Sequence, residues 1–380
     1  MKKSITFILV LLLAYSCSKD KQENNDGDFN LSGKFVAPNG TDAVSKANVK
    51  LYEGNTLINE TLTDSEGNFT LTGVSPGDYE VIISRGLFST TLSTTVNTDN
   101  DIFDIDLSTI TITDLPNIAV VTGDYDNIET VLYNIGLVNP VTGEPLFDII
   151  DGHDLAGRPS SSQQGHSHDT NTSLSKTTTN EQLEPNVDFG FGSLIESPAL
   201  LANYDIIFLN CGLSEYKTEF TSNLTDFVAN GGLLYATDYT YVYLYDITNY
   251  GTDYISFRDP YRSGQSLSTT AEVLNEDLLD WMTLNFNIST TDNTVTIDQF
   301  LNSWQPVASY DDNTVLPWLY GPVVYNDGIE EDIYLAYTFA HGNGGVLYSS
   351  FHTKNSATQS EAVERSIQYL VFELASLKSE

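Results

Sequence analysis

The hydrophobic pattern of this 380-residue chain changes character at Leu115-Pro116, and that change calls for different architectures on its two sides. Between residues 31 and 111 apolar and polar residues alternate in short stretches, at 31–36, 48–52, 56–62, 68–71, 79–84, 90–96 and 102–107. A period of two puts one face of a strand in a core and the other in water. Pro38-Asn39-Gly40, Asp64-Ser65-Glu66-Gly67 and Ser75-Pro76-Gly77-Asp78 supply the turns, with glycine where the backbone needs a positive φ. So many short strands in so short a span predict a β-sandwich over 31–111.

Beyond Pro116 the strands become apolar throughout. Residues 118–121, 146–150, 204–210 and 233–237 read as strands, with helices at 128–137 and 220–229 between them. Strands apolar on both faces belong to a parallel sheet covered by helices on both sides. Residues 333–339 and 346–351 flank His341-Gly342-Asn343-Gly344-Gly345 as a hairpin, and 360–377 closes the chain as an amphipathic helix. The fold class expected is therefore multidomain, β followed by α/β over 116–380. Two segments interrupt the second half. Residues 153–186 are rich in Ser, Thr, Gln and Asn, which predicts a disordered insert. Residues 239–267 carry Tyr239, Tyr241, Tyr243, Tyr245, Tyr250, Tyr254 and Tyr261, read as an aromatic cap on the sheet with sugar stacking as the alternative.

At the N-terminus, Lys2 and Lys3 precede an apolar run from Ile5 to Leu13 and then Leu13-Ala14-Tyr15-Ser16-Cys17. The run is shorter than the ~20 residues a membrane span needs, and it reads as a signal peptide over 1–16. Leu-Ala-Tyr-Ser-Cys resembles the lipobox of bacterial lipoproteins, which implies lipid on Cys17 and attachment to a membrane through it. Residues 17–30 are polar and acidic, a tether rather than a packing segment. Acids just after the lipidated cysteine resemble the surface-export signal of Bacteroidetes lipoproteins, which implies the outer membrane with the chain facing the exterior, the periplasmic face being the alternative. A formal charge of −36 repels nucleic acid and leaves neutral glycans, peptides and cations as partners. With Cys17 lipidated, Cys211 is the one remaining cysteine and no internal disulfide can form.

Thr63-Asp64-Ser65-Glu66-Gly67-Asn68-Phe69-Thr70-Leu71, followed by Val74-Ser75-Pro76-Gly77-Asp78-Tyr79, resembles the carboxypeptidase regulatory-like domain. That resemblance implies a transthyretin-like sandwich, a non-catalytic module. Asp64, Glu66 and Asp78 sit in its turns, where acids form turns more often than they bind calcium. Residues 204–212, 227–238 and 344–352 resemble the class I glutamine-amidotransferase-like superfamily, and the last piece its trehalose-utilisation branch. The implied fold is flavodoxin-like.

Ligands of open α/β sheets bind beyond the carboxyl ends of the strands. Those ends carry Asp124, Cys211 with Gly212, Asp238 with Tyr239, and His352, which are the candidate ligand-binding crevice. The amidotransferase resemblance places a cysteine on a Gly-x-Cys-x-Gly elbow after the fourth strand. This chain has Ala236-Thr237-Asp238-Tyr239-Thr240 there, and His352-Thr353-Lys354 in place of a catalytic His-x-Glu. No catalytic residue, cofactor or metal site follows from any motif. The cluster His166-Ser167-His168-Asp169, with His153 and Asp154 upstream, falls in the polar insert and points to adventitious metal binding. The expectation is a surface binding or scaffold lipoprotein. The alternative is an extracytoplasmic hydrolase of a glycan or peptide using Asp124, Asp238 and His352, with Glu361 as a second acid. The oligomeric state is not legible in the sequence.

Overall fold

A computed structural model of the chain describes residues 29–97, 104–153, 183–213, 218–258, 265, 267–286, 288, 291–300, 305–353 and 361–377. The signal peptide, Cys17, most of the acidic tether, residues 154–182 of the polar insert and Tyr261 lie outside them.

The N-terminal strands are β1 (Phe29–Val36), β2 (Asn48–Glu53), β3 (Thr56–Leu62), β4 (Asn68–Val74), β5 (Gly77–Arg85), β6 (Phe88–Val96) and β7 (Asp104–Thr111). They form two sheets, ordered β4-β1-β7 and β3-β2-β5-β6. The alternation in the sequence decides which side chains face inward. Val49 and Leu51 of β2, Phe69 and Leu71 of β4, and Tyr79, Val81 and Ile83 of β5 fill the space between the sheets, and the residues between them point outward. The turns behave as their residue types require. Asp64 Oδ1 accepts the amides of Glu66 and Asn68 at 2.9 and 2.8 Å, so this acid forms a turn. Gly67 follows at φ 80°, where a Cβ would strike the Phe35 carbonyl oxygen at 2.4 Å. Tyr79 donates its hydroxyl to the Ser75 carbonyl at 2.8 Å and closes the Pro-Gly-x-Tyr corner.

The second half runs β8 (Ile118–Val121), α1 (Ile128–Asn134), β9 (Asp148–Ile150), α2 (Phe191–Glu196), α3 (Pro198–Leu201), β10 (Ile206–Leu209), α4 (Thr221–Ala229) and β11 (Leu233–Thr237). It continues with β12 (Ile255–Phe257), β13 (Leu267–Val273), α5 (Glu276–Phe286), β14 (Thr294–Phe300) and β15 (Val307–Tyr310). It ends with β16 (Val315–Val324), β17 (Glu330–His341), β18 (Gly344–Ser349) and α6 (Glu361–Ser376). One sheet holds most of these strands, in the order β14-β13-β16-β17-β18-β11-β10-β8-β9. Within it β9, β8, β10, β11 and β18 are mutually parallel. Counted along the chain, those five stand in the order 2-1-3-4-5, which is the flavodoxin-like order. The hairpin of β17 and β18 is present as expected. The antiparallel extension through β16, β13 and β14 was not anticipated, so the sheet is mixed rather than purely parallel.

Alternate residues of the parallel strands feed cores on opposite sides. Ala119, Val121, Ile207, Leu209, Leu234 and Ala236 pack against α2, α4 and Tyr243. Val120, Ile206, Phe208, Leu233, Tyr235 and Leu347 face α1 and α6, and that core runs without a break into the sandwich. Phe88 meets Phe372 edge-on at 5.1 Å, and the Trp281 indole donates to the Ala43 carbonyl at 2.7 Å. The sandwich is therefore packed on the sheet's helical layer. Among the described residues no helix is long and apolar enough to cross a membrane.

Candidate functional site

Four strand ends converge at the carboxyl edge of the parallel sheet. The turn after β10 passes close beneath the turn after β8, because Gly212 stands at φ 96°, where a Cβ would meet the Asp124 amide nitrogen at 2.5 Å. Asp124 and Tyr125 donate their amides to the carbonyls of Gly212 and Cys211, at 3.2 and 3.1 Å. This packing brings Asp126, Cys211, Asp238 and His352 within reach of one another.

Asp238 is the residue immediately after β11. It has φ 41°, a left-handed conformation that a non-glycine residue holds only when its surroundings enforce it. Its Oδ1 accepts the Gln305 amide, and its Oδ2 lies 3.2 Å from His352 Nε2 and 3.8 Å from Cys211 Sγ. Tyr348 donates to the Gln305 carbonyl at 2.7 Å and closes the far side, and the Tyr125 ring stands against the His352 ring at 6.2 Å. Cys211, Asp238 and His352 are each 1 % exposed. Their three donor atoms lie within 4.8 Å of one another.

Asp126, wholly buried, organises the cluster from behind. One carboxylate oxygen accepts the Cys211 amide at 3.0 Å and the Thr237 hydroxyl at 2.5 Å. The other accepts the Thr353 amide at 2.7 Å and its hydroxyl at 3.1 Å. The same carboxylate therefore fixes Cys211 itself, the residue before Asp238 and the residue after His352.

The electrostatics follow from burial. Loss of water pushes the Cys211 thiol up to about 11, against the lowering effect of the His352 hydrogen bond. Burial also raises the Asp238 carboxyl, although His352 beside it pulls the other way. For His352 burial acts downward. The Asp126 charge and the hydrogen bonds to Asp238 and Cys211 outweigh it and hold the imidazole well above its usual value. An unreactive thiol and a carboxylate already engaged with its neighbours are the outcome.

The structure thus divides the candidate residues. Cys211, Asp238 and His352 meet in one buried cluster, with Gly212 shaping the turn beside it. Asp124 is exposed, 3.4 Å from His153 Nε2, and stands outside the cluster. Tyr239 is half-buried against Tyr241, with ring centroids 6.4 Å apart. Glu361 reaches Arg365 Nε at 3.6 Å rather than the strand ends. The open crevice expected at the strand ends is, at Cys211, Asp238 and His352, a filled interior. The His166-Ser167-His168 cluster lies outside the described residues. Sequence reading missed Asp126, Thr237, Gln305 and Thr353. Asp126 shares the loop after β8 with Asp124, and choosing between two acids two positions apart takes knowledge of which one turns inward.

Residues 30–108 match the carboxypeptidase regulatory-like domain family. No curated protein matches the chain. Among solved structures, 5-hydroxyisourate hydrolase of Klebsiella pneumoniae is similar at 14% identity and TM-score 0.19, over 22% of this chain and 91% of that one. The major pilin subunit BcpA of Bacillus cereus is similar at 12% identity and TM-score 0.20, over 23% of this chain, and the alignment spans only 30% of the pilin. A ThuA-like protein of Parabacteroides merdae is similar at 9% identity and TM-score 0.37, over 68% of this chain and 89% of that one. None of these likenesses bears on activity. The N-terminal sandwich is a carboxypeptidase regulatory-like domain, followed by an α/β domain with flavodoxin-like strand order.

Proposed function

We propose that this chain is a lipid-anchored cell-surface protein that binds its ligand without turning it over, with glycans as the ligand class. The observation that carries the reading is the residue at the end of β11. An accessible nucleophile beside a base is what amide hydrolysis needs at such a turn. Here the turn carries Asp238, 1 % exposed and engaged with Gln305 and His352. The neighbouring thiol of Cys211 is equally buried, and burial pushes it up to about 11.

Support for a glycan ligand comes from the aromatic surface after β11. Tyr250 is 76 % exposed, and its ring stacks on Tyr245 at 5.8 Å with 13° between the planes. A flat, rigid phenol face suits the C–H face of a sugar ring. A neutral polymer also suits a chain with a formal charge of −36. Support for the anchor comes from Leu13-Ala14-Tyr15-Ser16-Cys17 behind two lysines and an apolar run. The acids that follow Cys17 favour the outer membrane and its exterior face.

Two experiments test the reading. The chain from Asp28 onward, applied to a glycan array, is expected to bind, and Tyr250→Ala to weaken binding by about tenfold, the scale of one aromatic contact. Binding to no glycan rejects the ligand class, and undiminished binding by Tyr250→Ala places the ligand elsewhere on the protein. Cys17→Ser is expected to abolish palmitate incorporation and release the protein from membranes; palmitate incorporation that persists rejects the anchor.

A further inference from the structure

Cys211, Asp238 and His352 come from three different strand ends, 27 and 114 residues apart in sequence, yet they present a thiol, a carboxylate and an imidazole toward one point. That donor set suits a borderline-soft divalent ion, zinc above all. The separations fit as well. Tetrahedral zinc with ordinary bond lengths sets oxygen and sulfur about 3.5 Å apart, and oxygen and nitrogen about 3.3 Å apart. The structure has 3.8 Å between Asp238 Oδ2 and Cys211 Sγ, and 3.2 Å between Asp238 Oδ2 and His352 Nε2. These two separations are close to the edges of a coordination tetrahedron, and all three donors lie within 4.8 Å of one another.

We propose that Cys211 Sγ, Asp238 Oδ2 and His352 Nε2 form a zinc site that locks the carboxyl end of the parallel sheet.

Two independent features support the assignment. The first is rigidity: a preorganised metal site needs its ligands held from behind by outer-shell hydrogen bonds. Asp126 supplies them, since its two oxygens fix the Cys211 amide, the Thr237 hydroxyl next to Asp238 and the Thr353 amide next to His352. The second is charge. Asp126 and Asp238 are buried together, and among the described residues they are met by amides, hydroxyls, the thiol and one imidazole, with no Lys or Arg. A divalent ion on the three donors would take the place that the charged imidazole of His352 holds without it, with the thiol and the imidazole giving up their protons as the metal binds. Three protein donors leave the fourth tetrahedral position to a water molecule, and the burial of the site keeps that position from a substrate. The inference goes beyond the binding reading and does not depend on it.

The test uses the full-length protein purified after growth in medium supplemented with zinc, and in parallel with cobalt(II). One equivalent of metal per chain is expected. X-ray absorption at the zinc edge is expected to show one sulfur at about 2.3 Å and nitrogen or oxygen at about 2.0 Å. The cobalt form is expected to show a thiolate charge-transfer band, absent in Cys211→Ala. Asp126→Asn is expected to weaken metal binding by about 10–100-fold, as loss of an outer-shell partner does. A control removes the histidines of the polar insert, and His166→Ala/His168→Ala is expected to keep the full equivalent. A metal content far below one per chain, a first shell without sulfur, or loss of the metal in the insert variant overturns the assignment. The absorption measurement needs no variant, so it decides the matter even where Cys211→Ala fails to fold.

Discussion

Replacing Asp126 tests the strand-end cluster where it is most vulnerable. In Asp126→Ala four donors lose the carboxylate as acceptor: the amides of Cys211 and Thr353 and the hydroxyls of Thr237 and Thr353. The hydroxyls can turn elsewhere, and Thr237 Oγ1 already lies 3.3 Å from the Leu209 carbonyl oxygen. The two buried amides cannot turn; that of Cys211 keeps the Thr237 hydroxyl oxygen at 2.9 Å as a second acceptor, whereas that of Thr353 is left with none among the described residues. One unsatisfied buried amide costs about 1–3 kcal/mol, and the substitution should cost roughly that much. That is a large share of the ~5–15 kcal/mol that holds a domain folded. Asp126→Asn keeps one oxygen and should lose about half as much, because the amide nitrogen then faces a donor. Urea unfolding followed by circular dichroism measures the loss as a shift in midpoint at constant slope. A loss below about 1 kcal/mol in Asp126→Ala would refute the argument, since it would mean the Thr353 amide finds another acceptor.

Other outcomes follow from the same structure. Cys211, with its thiol raised to about 11, should resist alkylation at pH 8 in the folded protein and react at once in urea; rapid reaction of the native protein would mean that the cluster is open. Burial raises the phenols of Tyr235 and Tyr348 well above 10, so the stability linked to them is complete below pH 10 and is lost as pH rises beyond it. Alkaline titration at 295 nm should therefore show a fraction of tyrosines that ionise only with unfolding. Gly86 stands at φ 56° with a would-be Cβ 2.0 Å from the Ala375 carbonyl oxygen, whereas Gly54, at φ 59°, has open space around it. Gly86→Ala should cost roughly 2–4 kcal/mol and Gly54→Ala about 1 kcal/mol in thermal or urea unfolding. Equal losses would mean that α6 does not press on the turn after β5.

The sandwich was legible because strands with one wet face carry a period-two signal and their turns use residues with specific backbone preferences. β2, β5 and the corner at Tyr79 are examples. The parallel strands were legible for the opposite reason, as short runs buried on both faces. The extension through β13, β14 and β16 was hidden. β16 contains Pro317 and Pro322, which argue against a central strand, yet the structure accommodates them because β13 pairs with β16 only at Tyr320 and Leu319. The strand ends were legible, and Cys211, Asp238 and His352 with them, but Asp126 behind them was not. Asp124 and Asp126 are alike in sequence, and the packing of Gly212 beneath their loop turns only the second inward. The Cys211–Asp238–His352 grouping was reached from the carboxyl ends of β10, β11 and β18 taken together, since no local spacing links residues so far apart in sequence. Gln305 enters from the distant segment before β15 and left no signal at all.

The central claim is that the strand-end residues hold structure and perform no chemistry. The most direct test incubates the purified full-length protein with glutamine and with panels of glycans and peptides, and follows ammonia, new reducing ends and new amines by mass spectrometry. The account predicts retention of a glycan with no product formed on any panel. Product that forms with the native protein and disappears in Asp238→Asn would contradict it.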